Sequence, residues 1–166
     1  MRPNRDQWAM EMAVSTAKRA TCLRRSVGAV LLNSYGHVVS TGYNGVASGQ
    51  PHCNHHDRFH PTAHPYACPG AHSASGTNLD GCHAIHAEQN ALLQCRDVYT
   101  IDSCYVTTSP CMTCAKLLLN TSCKRIIFLT SYPGFKSVEE LWKSAGRSWE
   151  KYVEPIDRAW GTKTVV

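Results

Sequence analysis

Four residues could do chemistry together: His86 and Glu88 in His86-x-Glu88, and Cys111 and Cys114 in Pro110-Cys111-x-x-Cys114. One imidazole and two thiolates make a three-ligand set for zinc and leave the fourth tetrahedral corner to water or substrate. A structural zinc site is closed by four protein ligands, so the vacancy marks this set as catalytic. Residues i and i+2 do not share a helical face. Glu88 can therefore face the open corner without being a ligand. The chemistry this permits is hydrolysis. Zinc lowers the pKa of its water to about 7, and a nearby carboxylate can carry protons in and out of the reaction.

Either motif alone is weak evidence. A lone C-x-x-C could be a redox pair or half of a zinc ribbon, but a ribbon needs a second C-x-x-C and the chain has none. Nine cysteines, an odd number, stand beside nine histidines, a balance that suits metal binding better than a disulfide framework. The length suits one globular domain over residues 1–166, and the 43% hydrophobic share is near the globular average, whereas 17% charged is low for a soluble protein. The N-terminus is polar, with no apolar core behind it, and no run is long enough to span a membrane. A soluble, cytoplasmic protein is expected. The net charge of +5 is unclustered. It suits a small anionic substrate and gives no stripe for nucleic acid.

The elements that must position the four residues follow from periodicity and punctuation. After Pro3, residues 4–20 read as an amphipathic helix capped by Asn4, with Trp8, Met12 and Ala13 turned to the core. Residues 27–32 read as a buried strand and residues 37–41 as its antiparallel return. Gly42-Tyr43-Asn44-Gly45 closes this hairpin. Its glycines either supply positive φ to a turn or let the backbone approach a ligand closely, with the Asn44 amide reading a sugar. Residues 46–82 form an irregular insert rich in Pro, Gly, Cys and His, to which a metal would give order. Residues 83–94 read as the helix carrying His86 and Glu88, with Ala91, Leu92 and Leu93 inward. A strand over 104–108 leads to a helix capped by Ser109, begun by Pro110 and running to about Thr121. A strand over 124–129, a helix over 138–145 stopped by Gly146, and an edge strand near Tyr152 and Val153 complete a mixed sheet sandwiched by helices.

With these residues in place, the chain resembles the cytidine/deoxycytidylate deaminase superfamily, and within it the deoxycytidylate (dCMP) deaminases. The H-x-E…P-C-x-x-C pair is the signature of zinc deaminases of nucleobases. The likeness extends to Arg25-Ser26-Val27-Gly28-Ala29-Val30, Ser40-Thr41-Gly42-Tyr43-Asn44-Gly45, Ile85-His86-Ala87-Glu88-Gln89-Asn90-Ala91 and Tyr105-Val106-Thr107-Thr108-Ser109-Pro110-Cys111. These blocks lie in family order within residues 22–132. The resemblance implies a three-layer α/β/α sandwich on a five-stranded mixed sheet. It implies hydrolysis of dCMP to dUMP and ammonia in thymidylate precursor synthesis, in the cytoplasm, or in the host cytoplasm for a viral protein. It also implies a homohexamer activated by dCTP and inhibited by dTTP, with Mg2+ on the effector triphosphate.

Carried over by residue, Glu88 is the proton shuttle, and His86, Cys111 and Cys114 hold the catalytic zinc. Tyr132 contacts the pyrimidine, Asn44 the sugar, and Gly42, Tyr43 and Gly45 border the effector site. A second, structural zinc is implied for phage and bacterial members. Cys22 and Cys53 match two of its ligands, and Cys68 and His83 are favoured for the rest over His72 and Cys82. Arg24, Arg25 and Lys116 are the candidates for gripping a phosphate. The rival readings are an enzyme that also takes dCTP, a catalytically inactive zinc module that binds nucleotides, and an RNA-editing deaminase. Retention of Glu88 argues against the second, and the weak basic patterning against the third.

Overall fold

Residues 2–53, 67–74 and 76–154 are described by the computed structural model. Part of the Cys- and His-rich insert, including His55, His56, His60 and His64, lies outside the described residues. α1 (Arg5–Ala17) is followed by β1 (Gly28–Asn33) and β2 (Val38–Tyr43), then by two short strands, β3 (Gly45–Val46) and β4 (Ala84–Ile85), at either end of the insert. Next come α2 (Ala87–Gln94), β5 (Ile101–Thr108), α3 (Met112–Leu119), β6 (Arg125–Thr130), α4 (Phe135–Ser144) and β7 (Ser148–Lys151).

The main sheet runs β2-β1-β5-β6-β7. β1 is antiparallel to both its neighbours, whereas β5, β6 and β7 are parallel. This is the expected five-stranded mixed sheet. The strand period of two sorts its side chains into two cores. Ala29, Leu31, Cys104, Val106, Ile126 and Phe128 face α2, α3 and α4, and Val30, Leu32, Tyr105 and Ile127 face α1.

Glycine and alanine set how closely the helices sit. A Cβ on Gly28 would collide with the Ala13 carbonyl and the Ala17 amide of α1. A Cβ on Gly42 would collide with the Ala87 carbonyl and the Ala91 amide of α2. α1 therefore buries Ala9, Met10, Ala13 and Ala17, and Trp8 is left 39% exposed. On α2, Ala87 and Ala91 are buried while Leu93 is 76% exposed. The inward roles expected for Trp8 and Leu93 are thus corrected. Small residues make the contact, and the larger apolar ones are displaced outward.

Several boundaries also differ. Asn4 caps α1 as expected, its Oδ1 accepting from the Gln7 amide at 2.8 Å. Gly42-Tyr43-Asn44-Gly45 is no turn, because Gly42 and Tyr43 end β2 and Gly45 begins β3, and neither glycine has a positive φ. α2 starts at Ala87 rather than at residue 83, because β4 occupies Ala84 and Ile85. α3 is capped by Cys111, not Ser109. The edge strand at the chain's end is Ser148–Lys151, just before Tyr152.

Candidate active site

His86 is the N-cap of α2, and Cys111 is the N-cap of α3. Both metal-binding motifs thus open helices that rest on one face of the sheet, and the amides and dipole of each helix start face the site. The His86 position is fixed by a residue the sequence reading passed over. Gln89 Oε1 accepts from the His86 amide at 2.8 Å, the side-chain half of a capping box. The legible signal was a Gln three residues after a capping position. Asn90 Nδ2 donates to the Tyr43 carbonyl at 2.8 Å, and the Ser40 hydroxyl donates to the Ala91 carbonyl, also at 2.8 Å. These bonds lock α2 onto β2.

α3 is held at its far end by Arg147, for which sequence carries no signal. Its guanidinium donates to the carbonyls of Leu118, Leu119, Thr121 and Cys123 and lies over the Trp142 ring at 5.2 Å. A cation thereby satisfies the open carbonyls of the helix C-terminus. The Ser109 hydroxyl, expected to cap α3, instead accepts from the Tyr132 amide at 2.8 Å and sets the post-β6 loop against the site.

The expected ligands converge. The donor atoms of His86, Cys111 and Cys114 all lie within 4.8 Å of one another. His86 Nδ1 is 3.5 Å from Cys111 Sγ and 3.4 Å from Cys114 Sγ. Tetrahedral corners at ordinary Zn–S and Zn–N lengths are ~3.5 Å apart, so the trio fits zinc. His86 is in hydrogen-bond contact with both thiols. A hydrogen bond from the Cys114 thiol, helped by His86, holds Cys111 at about 4 against the upward push of burial. Cys114 is correspondingly driven up, first by that bond to Cys111. A bond to Cys111 also raises His86.

Glu88 is 3% exposed, and burial lifts its carboxyl to about 7. It lines an open pocket together with His86, Cys111, Asn44, Arg25 and Tyr132. Tyr132 is half-buried, with the Arg25 guanidinium 5.5 Å from its ring centroid. Asn44 is buried in the pocket wall, its amide bridging the chain before β1. Its Oδ1 accepts from the Val27 amide and its Nδ2 donates to the Arg25 carbonyl, both at 2.8 Å. Lys116, on α3, does not line the pocket.

The space beside Gly42 is filled by α2, and a Cβ on Gly45 would collide with the Thr21 hydroxyl. The close approaches these glycines allow are therefore to the protein itself. Tyr43 has the Arg19 guanidinium 6.0 Å from its ring centroid.

The second group of expected ligands is brought together only in part. Cys53 and Cys68 are buried in one small cluster, packed on Leu23, Val46 and Ala67. Burial raises Cys53, which also feels Cys22. Burial pushes Cys68 up too, but the amides of His83 and Gly70 and the thiols of Cys53 and Cys82 outweigh it and hold Cys68 low. His83 is exposed and offers Cys68 its amide, whereas Cys82 offers a thiol. Among the described residues, His86, Cys111 and Cys114 are the one group of three or more His, Cys, Asp or Glu whose donor atoms lie close enough to share a metal ion. All nine cysteines are free of disulfides.

Comparison with known proteins agrees with this geometry. Residues 3–130 match the model of the cytidine and deoxycytidylate deaminase zinc-binding region. The chain is 36% identical over 158 residues to a deoxycytidylate deaminase of Schizosaccharomyces pombe, covering 93% of this chain but 46% of that protein. It is 34% identical over 128 residues to the deoxycytidylate deaminase of Mycobacterium phage D29, covering 76% of this chain and 95% of the phage protein. The chain thus spans about half the length of the fission-yeast relative and nearly all of the phage one. The fold matches the crystal structure of the dCMP deaminase of cyanophage S-TIM5 in complex with dCMP and dUMP. There the TM-score is 0.66 at 24% identity, over 92% of this chain and 99% of that one. On its sequence match and the three converged ligands, the chain belongs to the cytidine and deoxycytidylate deaminase family.

Proposed function

We propose that this chain hydrolyses dCMP to dUMP and ammonia. The observation that carries the proposal is the convergence of His86, Cys111 and Cys114 beside a buried carboxyl, Glu88, in one open pocket. The deoxycytidylate deaminase names of the yeast and phage relatives support the choice of substrate. Zinc, when held by the three ligands, supplies the acidification of water that makes it a nucleophile near neutral pH. Glu88 takes one proton from the attacking water and delivers it to N3 of the cytosine ring, then takes the remaining proton from the new C4 hydroxyl and passes it to the departing amine. A C4–O bond forms, the C4–N bond breaks, and the nitrogen leaves as ammonia.

Tyr132 stacks on the pyrimidine, and Asn44 offers its remaining N–H and lone pair to the sugar. Arg25 has no carboxylate partner among the described residues, which makes it the candidate for the substrate phosphate.

In the same reading residues 1–166 form one deaminase domain in the cytoplasm, or the host cytoplasm for a viral protein. No helix of the described residues is long and apolar enough to cross a membrane. Exposed Trp8, Leu93 and Leu117 are apolar surface that a homohexamer would cover. Gly42, Tyr43 and Gly45 border the place where dCTP with Mg2+ activates and dTTP inhibits. A structural zinc would be held by Cys53 and Cys68 together with Cys22, with Cys82 rather than His83 as its fourth ligand.

Ammonia release from dCMP, dCTP and cytidine, each with and without dTTP, tests the proposal. Turnover of dCMP suppressed by dTTP is expected. Equal turnover of dCTP would favour the bifunctional reading, and activity confined to cytidine would overturn both.

A further inference from the structure

Two neighbouring arginines enter the pocket and are used differently. Arg25 faces the Tyr132 ring. Arg24 turns to the end of the insert, where its Nη2 donates to the carbonyl of Ala74 at 2.6 Å and to that of Thr77 at 2.9 Å. These carbonyls belong to a tight turn. The Thr77 amide and hydroxyl both donate to the Ala74 carbonyl, at 3.0 and 2.7 Å. Gly76 within it has φ +83°, a conformation that glycine adopts without penalty. The turn lies against the site, since a Cβ on Gly76 would stand 3.5 Å from the Tyr132 hydroxyl. Gly76 and Leu79 both line the pocket.

We infer that Arg24 is a positioning residue, a clamp that holds the insert's turn against Tyr132 and so makes the insert a wall of the substrate pocket. A guanidinium presents several donors from one plane, which lets it hold two carbonyls at once. The contact spans more than fifty residues of chain between the start of the fold and the end of the insert. Arg24 therefore acts on substrate through the turn and Tyr132, leaving anion recognition to Arg25. The inference rests on the function proposed above, and its test separates the two.

Hydrogen–deuterium exchange of the zinc-loaded, ligand-free protein is compared for wild type, Arg24→Ala and Arg24→Lys, alongside steady-state kinetics on dCMP and zinc content. Loss of two charge-assisted bonds should speed exchange of the Thr77 amide by about tenfold or more in Arg24→Ala, with α2 and α3 unchanged. KM should rise by a similar factor, about tenfold, with kcat nearly constant and zinc retained. Arg24→Lys should restore part of both effects. Gly76→Ala strains the same turn from its other side and should raise KM in the same way.

Unchanged exchange with a raised KM would make Arg24 a direct substrate contact and overturn the clamp. Faster exchange with an unchanged KM would remove the turn from the pocket wall. A wild type inert towards dCMP would overturn the proposed function, and the exchange comparison alone would then decide the clamp.

Discussion

The protein holds two thiol groups of unlike construction. Cys111 and Cys114 sit at the start of a helix whose C-terminal carbonyls are gripped by Arg147, and His86 is fixed by Gln89 on a helix locked to β2. Cys53 and Cys68 sit outside helices and strands, buried against a few apolar neighbours. The first trio already stands at tetrahedral spacing, while the second is assembled only as a pair with Cys22 and Cys82 near it. A catalytic metal needs its ligands set beforehand and one corner open, so the scaffold supplies the geometry. A structural metal can supply geometry to its own ligands, and its binding energy is then folding energy.

The largest effect that should separate the two sites is chemical. Glu88→Gln should lower kcat by ~10²–10⁴-fold, as loss of a general acid–base does, while zinc stays bound. Cys68→Ser should leave kcat within a few-fold. Metal analysis and turnover on the same samples check both, and full turnover in Glu88→Gln would dissolve the contrast.

Next comes the scaffold. Arg147→Met orphans carbonyls at the end of α3 and should cost about 2–3 kcal/mol in denaturant unfolding. A loss that small in a folded, zinc-loaded variant would show the trio surviving on its other supports.

Metal stoichiometry is a sharper but smaller test. About two zinc ions per chain are expected, falling to about one in Cys68→Ser. A wild-type value near one would mean that the second thiol group holds itself without metal.

The smallest effect lies far from both. Arg125 donates to Glu150 and to Asp6, and its bonds hold the Glu150 carboxyl below the usual range. A depressed folded-state value stabilises the protein above the unfolded value of about 4.3, and that contribution fades as pH falls through the folded one. The pair is partly solvated, so Glu150→Gln should remove only ~0.5 kcal/mol at pH 7, and less below pH 4. Urea midpoints across pH would show this. A change in zinc content would tie the cluster to the metal sites.

The difference between the two groups also governs what the residues alone could disclose. His86, Glu88, Cys111 and Cys114 were legible because few chemistries ask for those side chains at that spacing. The sheet was legible because β1, β5 and β6 each carry an unbroken run of buried side chains. The outward turn of Trp8 and Leu93 was not, because contact by alanine and glycine inverts the usual weighting of large apolar residues. The cap of α3 was misread for a related reason. Ser109-Pro110 is a strong local signal, yet tertiary demand places the Ser109 hydroxyl on Tyr132 and gives the cap to Cys111. Arg147 and Arg24 act on backbone carbonyls distant in sequence, which no local pattern encodes.

One feature of the insert sets how freely it can vary. β3 and β4 pair Gly45 with Ile85 and Val46 with Ala84, so the chain leaves and re-enters the domain at adjacent points. A polymer tethered at both ends to one spot pays only logarithmically for added length. Between Cys53 and Cys68, ahead of the turn that Arg24 holds, the chain can therefore gain or lose length with His86 kept at its station, which makes this stretch the natural site of divergence between relatives that share the same chemistry.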